Sequence, residues 1–332
     1  MLISKSFNIL PDEMAELNFE FAYAVGYLEW FHSGVRRLRG GFESSLSSGH
    51  ANMGFLCAGL STIFSIFSGE KNLILLLKEI DYYLHLLKTY KSEMTRKLLL
   101  ISRETVSKLI DKGEATSIEG EDNSKPEAKT GKHLDLMHVN ATIQNYYLGY
   151  SERCRFFAYK SLASFPKPGR LYRVVVLFYH GLNLIDHLKK KSNPPRRREV
   201  NEIIASLKVT VTHADANFRN KLQLLEAEKY ALDGRYTQAL NSYDVAIATA
   251  RDRKFIHEQG LACEKAALYF KRIRDFTNAY RYFRQARECY EEWGSKIKVE
   301  EIAREMSSLD VHHSWISTKS KFENDMDSLG HV

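Results

Sequence analysis

The chain has 332 residues, 44% hydrophobic and 27% charged, which is too apolar for a disordered protein and enough to bury a core. Its formal charge of +7 comes from 48 basic and 41 acidic residues interspersed with one another, a mixed solvated surface rather than the basic block of a dedicated nucleic-acid binder. With only 6 prolines and 18 glycines the stretches between breakers are long, which suits helices and excludes a fold of many short strands.

Met1-Leu2-Ile3-Ser4-Lys5 runs into Pro11-Asp12-Glu13 without a long apolar core, so no secretory leader is expected. From Asp12 to Phe31, Leu17, Phe21, Ala24, Val25 and Leu28 recur at helical spacing, and Val35, Leu38, Phe42 and Leu46 predict a second helix. Ser44 to Gly69 carries no formal charge. Ser47, Ser48, Gly49, His50 and Asn52 open it, which leaves an apolar run only from Met53 to Phe67. A spanning helix needs about 20 predominantly apolar residues, so this segment reads as a buried repeat helix. Leu73, Leu76, Leu77, Ile80, Leu84 and Leu87 mark the next helix and Met94 to Ile110 another, completing an N-terminal set of helical repeats over residues 1–112.

Residues 113–132 contain one large apolar residue, Ile118, and are expected to be a disordered polar insertion in which Ser117 and Ser124 are available for phosphorylation. A C-terminal set of helical repeats is expected over 133–305. Its first helix runs from Leu134 towards Gly149, and a second carries Phe156, Phe157, Tyr159, Leu162 and Phe165 until Pro166-Lys167-Pro168-Gly169 breaks it. Val174-Val175-Val176 alone suits a strand, but the length of Leu171 to Leu188 favours a buried helix. Asn193-Pro194-Pro195 ends that helix, and Arg196, Arg197 and Arg198 are expected in the following loop, hydrated or facing phosphate. Val200, Ile203, Ile204, Leu207 and Val211 mark a helix from Glu199 to about His213, and residues 306–332 read as a flexible tail.

The clearest signal is an internal repeat. Ala227, Tyr230, Gly234, Ala239, Tyr243 and Ala246 recur 40 residues later as Ala267, Phe270, Arg274, Ala279, Phe283 and Ala286. Alanines at crossing points let helices approach while the aromatics fill the gaps beside them, so residues 220–299 predict two stacked helix hairpins. The fold expected for the whole is all-α: six or seven hairpins stacked into a right-handed, tetratricopeptide-like superhelix.

No complete catalytic constellation accompanies this architecture. Gly131-Lys132-His133 has the Gly-Lys of a P-loop without the rest, and neither G-x-G-x-x-G, H-E-x-x-H nor the protein-kinase elements occur. Adjacent His312 and His313 point apart on any regular element. The carboxylates Glu226 with Glu228 and Glu258 with Glu264 suit salt bridges or helix ends better than acid–base work. Cys57, Cys154, Cys263 and Cys289 are scattered, without a C-x-x-C pair, which predicts free buried thiols in a reducing, cytoplasmic compartment. Neither a cofactor, a metal nor an enzymatic activity is expected, and the aromatics from Tyr269 to Trp293 read as core before they read as a base-stacking surface.

Leu224-Leu225-Glu226-Ala227-Glu228, Gly234-Arg235, Ala239, Tyr243-Asp244, Ala246-Ile247, Phe255, Glu258, Leu261-Ala262, Ala266-Ala267, Tyr282, Tyr290 and Trp293-Gly294 resemble the helical-repeat region that follows the ATPase module of multi-sensor hybrid histidine kinases. Phe67-Ser68-Gly69-Glu70 and Glu79-Ile80-Asp81-Tyr82-Tyr83-Leu84 resemble an earlier helical pair of the same region. Cys263 and Lys265 stand where that family usually has Asn and Leu, and Arg274 where it has Gly. The resemblance implies a scaffold for protein–protein interaction in signal transduction, its partner a signalling kinase, sensor or ATPase module. If the hairpins follow tetratricopeptide geometry, register places Lys221, Glu228, Glu264, Lys271 and Arg272 along a concave groove whose basic members hold an acidic peptide. Two rival readings are a fragment of a larger ATP-dependent kinase and a nucleic-acid-binding repeat that uses Arg196 to Arg198.

Overall fold

The computed structural model describes residues 11–25, 28–90, 92–111, 132–165 and 171–309. Among the described residues there are thirteen helices and no strand. The helices of the first half are α1 (Pro11–Val25), α2 (Phe31–Ser47), α3 (Ala51–Ser68), α4 (Leu73–Leu86), α5 (Glu93–Ile110) and α6 (Lys132–Tyr147). Those of the second are α7 (Ser151–Ser164), α8 (Leu171–Leu188), α9 (Pro194–Leu232), α10 (Tyr236–Asp252), α11 (Ile256–Arg272), α12 (Phe276–Trp293) and α13 (296–309). Neighbours in sequence are neighbours in space from α1 to α12. The polar insertion expected at 113–132, with Ser117 and Ser124, lies outside the described residues except for Lys132. Of the tail expected from 306, residues 306–309 complete α13, where Met306 and Leu309 are buried; residues 310–332 lie outside the description.

The 40-residue repeat resolves into a 20-residue pitch. Gly234, Lys254, Arg274 and Gly294 all take left-handed backbone, with φ of 73°, 60°, 63° and 88°. Just after each, one amide reaches back to the carbonyl five residues earlier: Arg235 to Tyr230 and Phe255 to Ala250 at 2.9 Å, Asp275 to Phe270 and Ser295 to Tyr290 at 3.0 Å. This is the six-to-one bond that closes a helix by satisfying one of its orphan carbonyls. It reverses the chain on the same schedule four times, which brings Ala239, Ala246, Ala250, Ala266, Ala267, Ala279 and Ala286 into the core. Side-chain contacts at about 40 residues extend the hairpin spacing upstream, as in Arg39 with Glu79 (2.8 Å), Thr62 with Ser102 (3.2 Å) and Tyr159 with Glu199 (3.0 Å).

Three local expectations change. Asn193 caps α9 through the amide of Arg196 at 3.1 Å, with prolines in the first helical turn, so Arg196, Arg197 and Arg198 open a helix and do not lie in a loop. Arg197 pairs with Asp233 at 2.6 Å. The helix expected to stop near His213 continues to Leu232 through a kink at Ala214 (φ −135°, ψ 47°). Leu17, Phe21 and Leu28, expected to form an inward stripe, are exposed, as are Phe156 and Tyr159 of α7. Among the described residues one helix, α3, is long and apolar enough to cross a membrane by composition, and most of it is buried inside the protein.

The two halves interlock. Phe31, fully buried at the start of α2, lies 5.7 Å from Phe64 and 6.3 Å from Phe67 of α3, but also 5.8 Å from Phe218 of α9 and 6.2 Å from Phe255 before α11, centroid to centroid. Trp30 Nε1 donates to the Arg253 carbonyl (3.1 Å), Asn72 Nδ2 to that of Glu292 (2.9 Å) and Ser295 Oγ to that of Leu109 (2.6 Å). Gly69, which ends α3, and Gly294, which ends α12, sit against His257 and Asn72 respectively, where any side chain would collide.

Candidate functional site

All five groove residues of the sequence reading lie on the expected helices, Lys221 and Glu228 on α9 and Glu264, Lys271 and Arg272 on α11. Their surroundings are not those of an open groove. Lys221 is buried, donating to Glu258 Oε2 at 2.7 Å and to the Asn217 carbonyl at 2.8 Å, with its ammonium 4.3 Å from the centroid of Phe255. Glu228 is buried between Lys189 and the Tyr243 hydroxyl. Glu264 accepts from Tyr290 at 2.6 Å and from Lys298 at 2.9 Å. Lys271 turns to α13, where it meets Glu305 (2.7 Å) and Ser308 (2.9 Å). Only Arg272 is exposed; it donates to the Ala231 carbonyl at 2.8 Å and lies 5.3 Å from the Tyr269 centroid.

What fills the inner side of α9 and α11 is the chain itself. The segment before α2 docks there: Asn217 Oδ1 accepts from the Phe31 amide (3.0 Å), Asn217 Nδ2 donates to the Glu29 carbonyl (2.6 Å), and His32 Nε2 lies 3.1 Å from the Lys254 carbonyl. The carboxylates weighed as an acid–base pair are each engaged by a lysine: Glu226 by Lys208, Glu228 by Lys189, Glu258 by Lys221 and Glu264 by Lys298. All four cysteines are buried thiols outside any disulfide, and burial pushes those of Cys57, Cys154 and Cys289 up to about 12.

Several clefts open on the described residues, and one of about 360 Å³ between α6, α8 and α11 gathers the most charged side chains. Tyr146, Asn183, Asp186, Lys189, Lys190, Glu264, Lys265, Tyr269, Arg272, Lys298 and Glu301 are among its walls. Asp186 is the hub: Lys265 Nζ lies 2.7 Å from its Oδ2, Lys189 Nζ 3.5 Å from its Oδ1, and the Tyr146 hydroxyl donates to it at 3.4 Å. Burial disfavours its charge, but Lys265 and Lys189 outweigh that and hold its pKa below the ordinary value. Burial likewise opposes the charge on Lys265, and the surrounding Asp186, Glu228 and Glu264 reverse the effect and raise its pKa. Lys298 is raised for the same reason by Glu264 and Glu301.

Asp186, Lys265 and Lys298 are therefore held in their charged forms, and Asp186 and Glu264 already receive hydrogen bonds. The unused hydrogen-bonding capacity lies with the cations at the mouth. Arg272 donates one bond from a guanidinium that carries five N–H groups, and exposed Lys190 takes no part in the ion pairs of the cleft. Such a rim can bind and orient an anion; among the described residues no cluster of three or more His, Cys, Asp or Glu side chains is placed to hold a metal. Sequence reasoning found Glu264 and Arg272 but missed Asp186, Lys189, Lys190 and Lys265. The available signal was the 40-residue spacing that joins Tyr146 to Asp186 and nearly joins Lys189 to Glu228. Comparison of the chain with protein-family models, with curated proteins and with solved structures found no match.

Proposed function

We propose that the protein is a non-catalytic helical-repeat scaffold that mediates protein–protein interaction in a cytoplasmic signal-transduction assembly, its hairpins wound as a right-handed, tetratricopeptide-like superhelix. The observation that supports it is the grip of Asn217 on the segment before α2. One side-chain amide takes the backbone carbonyl of Glu29 and the amide of Phe31, which is how a recognition surface holds an extended peptide while a pocket, here the aromatic cage of Phe64, Phe218 and Phe255, takes the side chain. The inner side of α9 thus holds the turn that leads into α2 in cis, and a partner's backbone in trans is the use proposed for such a surface.

The cleft between α6, α8 and α11 is where an acidic group of the partner is expected to enter. An acidic residue reaching its mouth meets Arg272 and Lys190, whose partners there are a carbonyl and solvent. The resemblance of residues 220–299 to the repeat region of hybrid histidine kinases supports a signalling context, with a kinase, sensor or ATPase module as the class of partner.

The test is affinity purification with the full chain and with Lys190→Glu/Arg272→Glu, followed by binding of each recovered protein in purified form. A direct partner whose affinity falls at least tenfold in the double variant, and weakens with added salt, supports the reading. Equal binding by both forms removes the cleft from it. Recovery of nucleic acid alone, or of no direct protein partner, counts against the scaffold itself.

A further inference from the structure

Resting on that reading, we propose that the anion taken by the cleft between α6, α8 and α11 is a phosphate monoester, carried either on a phosphorylated side chain of the partner or by a small metabolite. Two observations point to phosphate over a carboxylate.

The first is charge. The cleft walls carry five cations, Lys189, Lys190, Lys265, Lys298 and Arg272, against three carboxylates, Asp186, Glu264 and Glu301. Glu228 behind the wall engages Lys189, so the excess that reaches the cavity lies between one and two charges. A phosphate monoester carries about 1.5 to 2 negative charges near neutral pH and a carboxylate only one.

The second is donor capacity. The carboxylates already receive their bonds: Asp186 from Lys265 and Tyr146, Glu264 from Lys298 and Tyr290. Arg272, Lys190 and the remaining N–H groups of Lys265 are left to donate. Three terminal phosphoryl oxygens match a planar guanidinium fork together with two ammonium groups better than two carboxylate oxygens do.

Size agrees with this class of ligand. About 360 Å³ is at the small end of ligand cavities, room for a phosphorylated side chain or sugar phosphate and too little for a folded element.

Isothermal titration of the full chain decides it, using a short Gly/Ser peptide with one phosphoserine, the same peptide with Glu in that place, glucose 6-phosphate and inorganic phosphate. Phosphate recognition requires at least one of the two phosphate esters to bind at least tenfold tighter than the Glu peptide, inorganic phosphate to compete with it, and Lys190→Gln/Arg272→Gln to lose at least tenfold with an unchanged melting temperature. Tight binding of the phosphopeptide but not glucose 6-phosphate assigns the phosphate to a partner protein, and the converse to a metabolite. Equal affinity for the Glu peptide and both phosphate esters overturns phosphate specificity and leaves the acidic-partner reading standing. No binding of any probe overturns the phosphate assignment, and the scaffold reading then rests on partner capture alone.

Discussion

In the C-terminal hairpins a left-handed turn recurs every 20 residues, at Gly234, Lys254, Arg274 and Gly294, whereas among the described residues of α2 to α5 only Gly49 and Gly69 keep that interval. The helices differ in the same way. In α12 the residues Ala279, Tyr282, Phe283, Ala286, Cys289, Tyr290 and Trp293 are buried along one stripe, and the exposed side is mostly polar and charged. In α3 nearly every residue from Gly54 to Ser68 is buried, whichever way it points. A striped helix tells the sequence reader which face is inward; a helix covered on all sides does not. Stacked hairpins add layers by a local rule. The N-terminal helices depend on being enclosed, and part of that enclosure is α9 and α11.

Cutting the charge pair at this junction is the strongest way to break the comparison. Lys221→Met leaves Glu258 buried without its cation, and about 3–5 kcal/mol of stability is expected to go, read from urea unfolding. Lys221→Met together with Glu258→Leu is expected to recover most of it, because the two desolvation costs vanish together. A double variant as unstable as the single one would mean that the pair is essential for packing.

Two glycines sharpen the contrast between a turn that merely turns and one that joins the halves. Gly49 and Gly69 both have positive φ, but a side chain at 49 meets nothing within 4 Å while one at 69 meets the His257 ring. Gly49→Ala is expected to cost about 1 kcal/mol, the left-handed penalty alone. Gly69→Ala adds displacement of His257 and is expected to cost about 2–3 kcal/mol in the same urea assay.

His257 also gives the junction a pH dependence. Its imidazole is buried against Tyr147 and Trp293 without a hydrogen bond; burial, then Lys221, then His32 depress its pKa well below the ordinary value. A depressed histidine binds protons more readily unfolded than folded, so stability is full above the unfolded pKa near 6.5 and falls as pH drops below it. The slope is expected to reach at most about 1.4 kcal/mol per pH unit, with His32, also depressed by burial, adding in the same direction. Glu258, its pKa raised by burial, contributes the opposite slope from its folded pKa down to its ordinary value. His257→Gln is expected to flatten the limb between pH 6.5 and 5.5; an unchanged limb would place the proton elsewhere.

The smallest effect lies in the repeat itself. Lys254 and Arg274 hold left-handed backbone without being glycine, so Arg274→Gly is expected to stabilise by about 0.5–1 kcal/mol in thermal melts.

These contrasts follow what could be read in advance. Helices and the 40-residue period were legible because Ala239, Tyr243 and Ala246 repeat as Ala279, Phe283 and Ala286, and packing within a hairpin is local. The continuation of α9 through Ala214 was not, because a kinked helix and two short ones share one periodicity. Nor was the filled inner face. Lys221 and Glu228 keep their register, but what covers that region includes Phe31 of α2, far off in sequence, with Phe178 of α8 and Lys189 of the turn after it. The cleft was half legible, since Arg272 and Glu264 share one helix whereas Asp186 and Lys190 come from the end of α8 and the turn after it, some 80 residues away.

The four buried thiols report directly on whether the two regions form one interlocked body, since Cys57 lies in α3, Cys154 in α7, Cys263 in α11 and Cys289 in α12. Pulsed thiol labelling across a urea series, resolved cysteine by cysteine by mass spectrometry, measures when each is uncovered. Interlocking predicts that all four become reactive at one urea midpoint. Exposure of Cys57 at a lower midpoint, with Cys263 and Cys289 still protected, would contradict it and leave α9 to α13 as a stack that stands without the N-terminal helices.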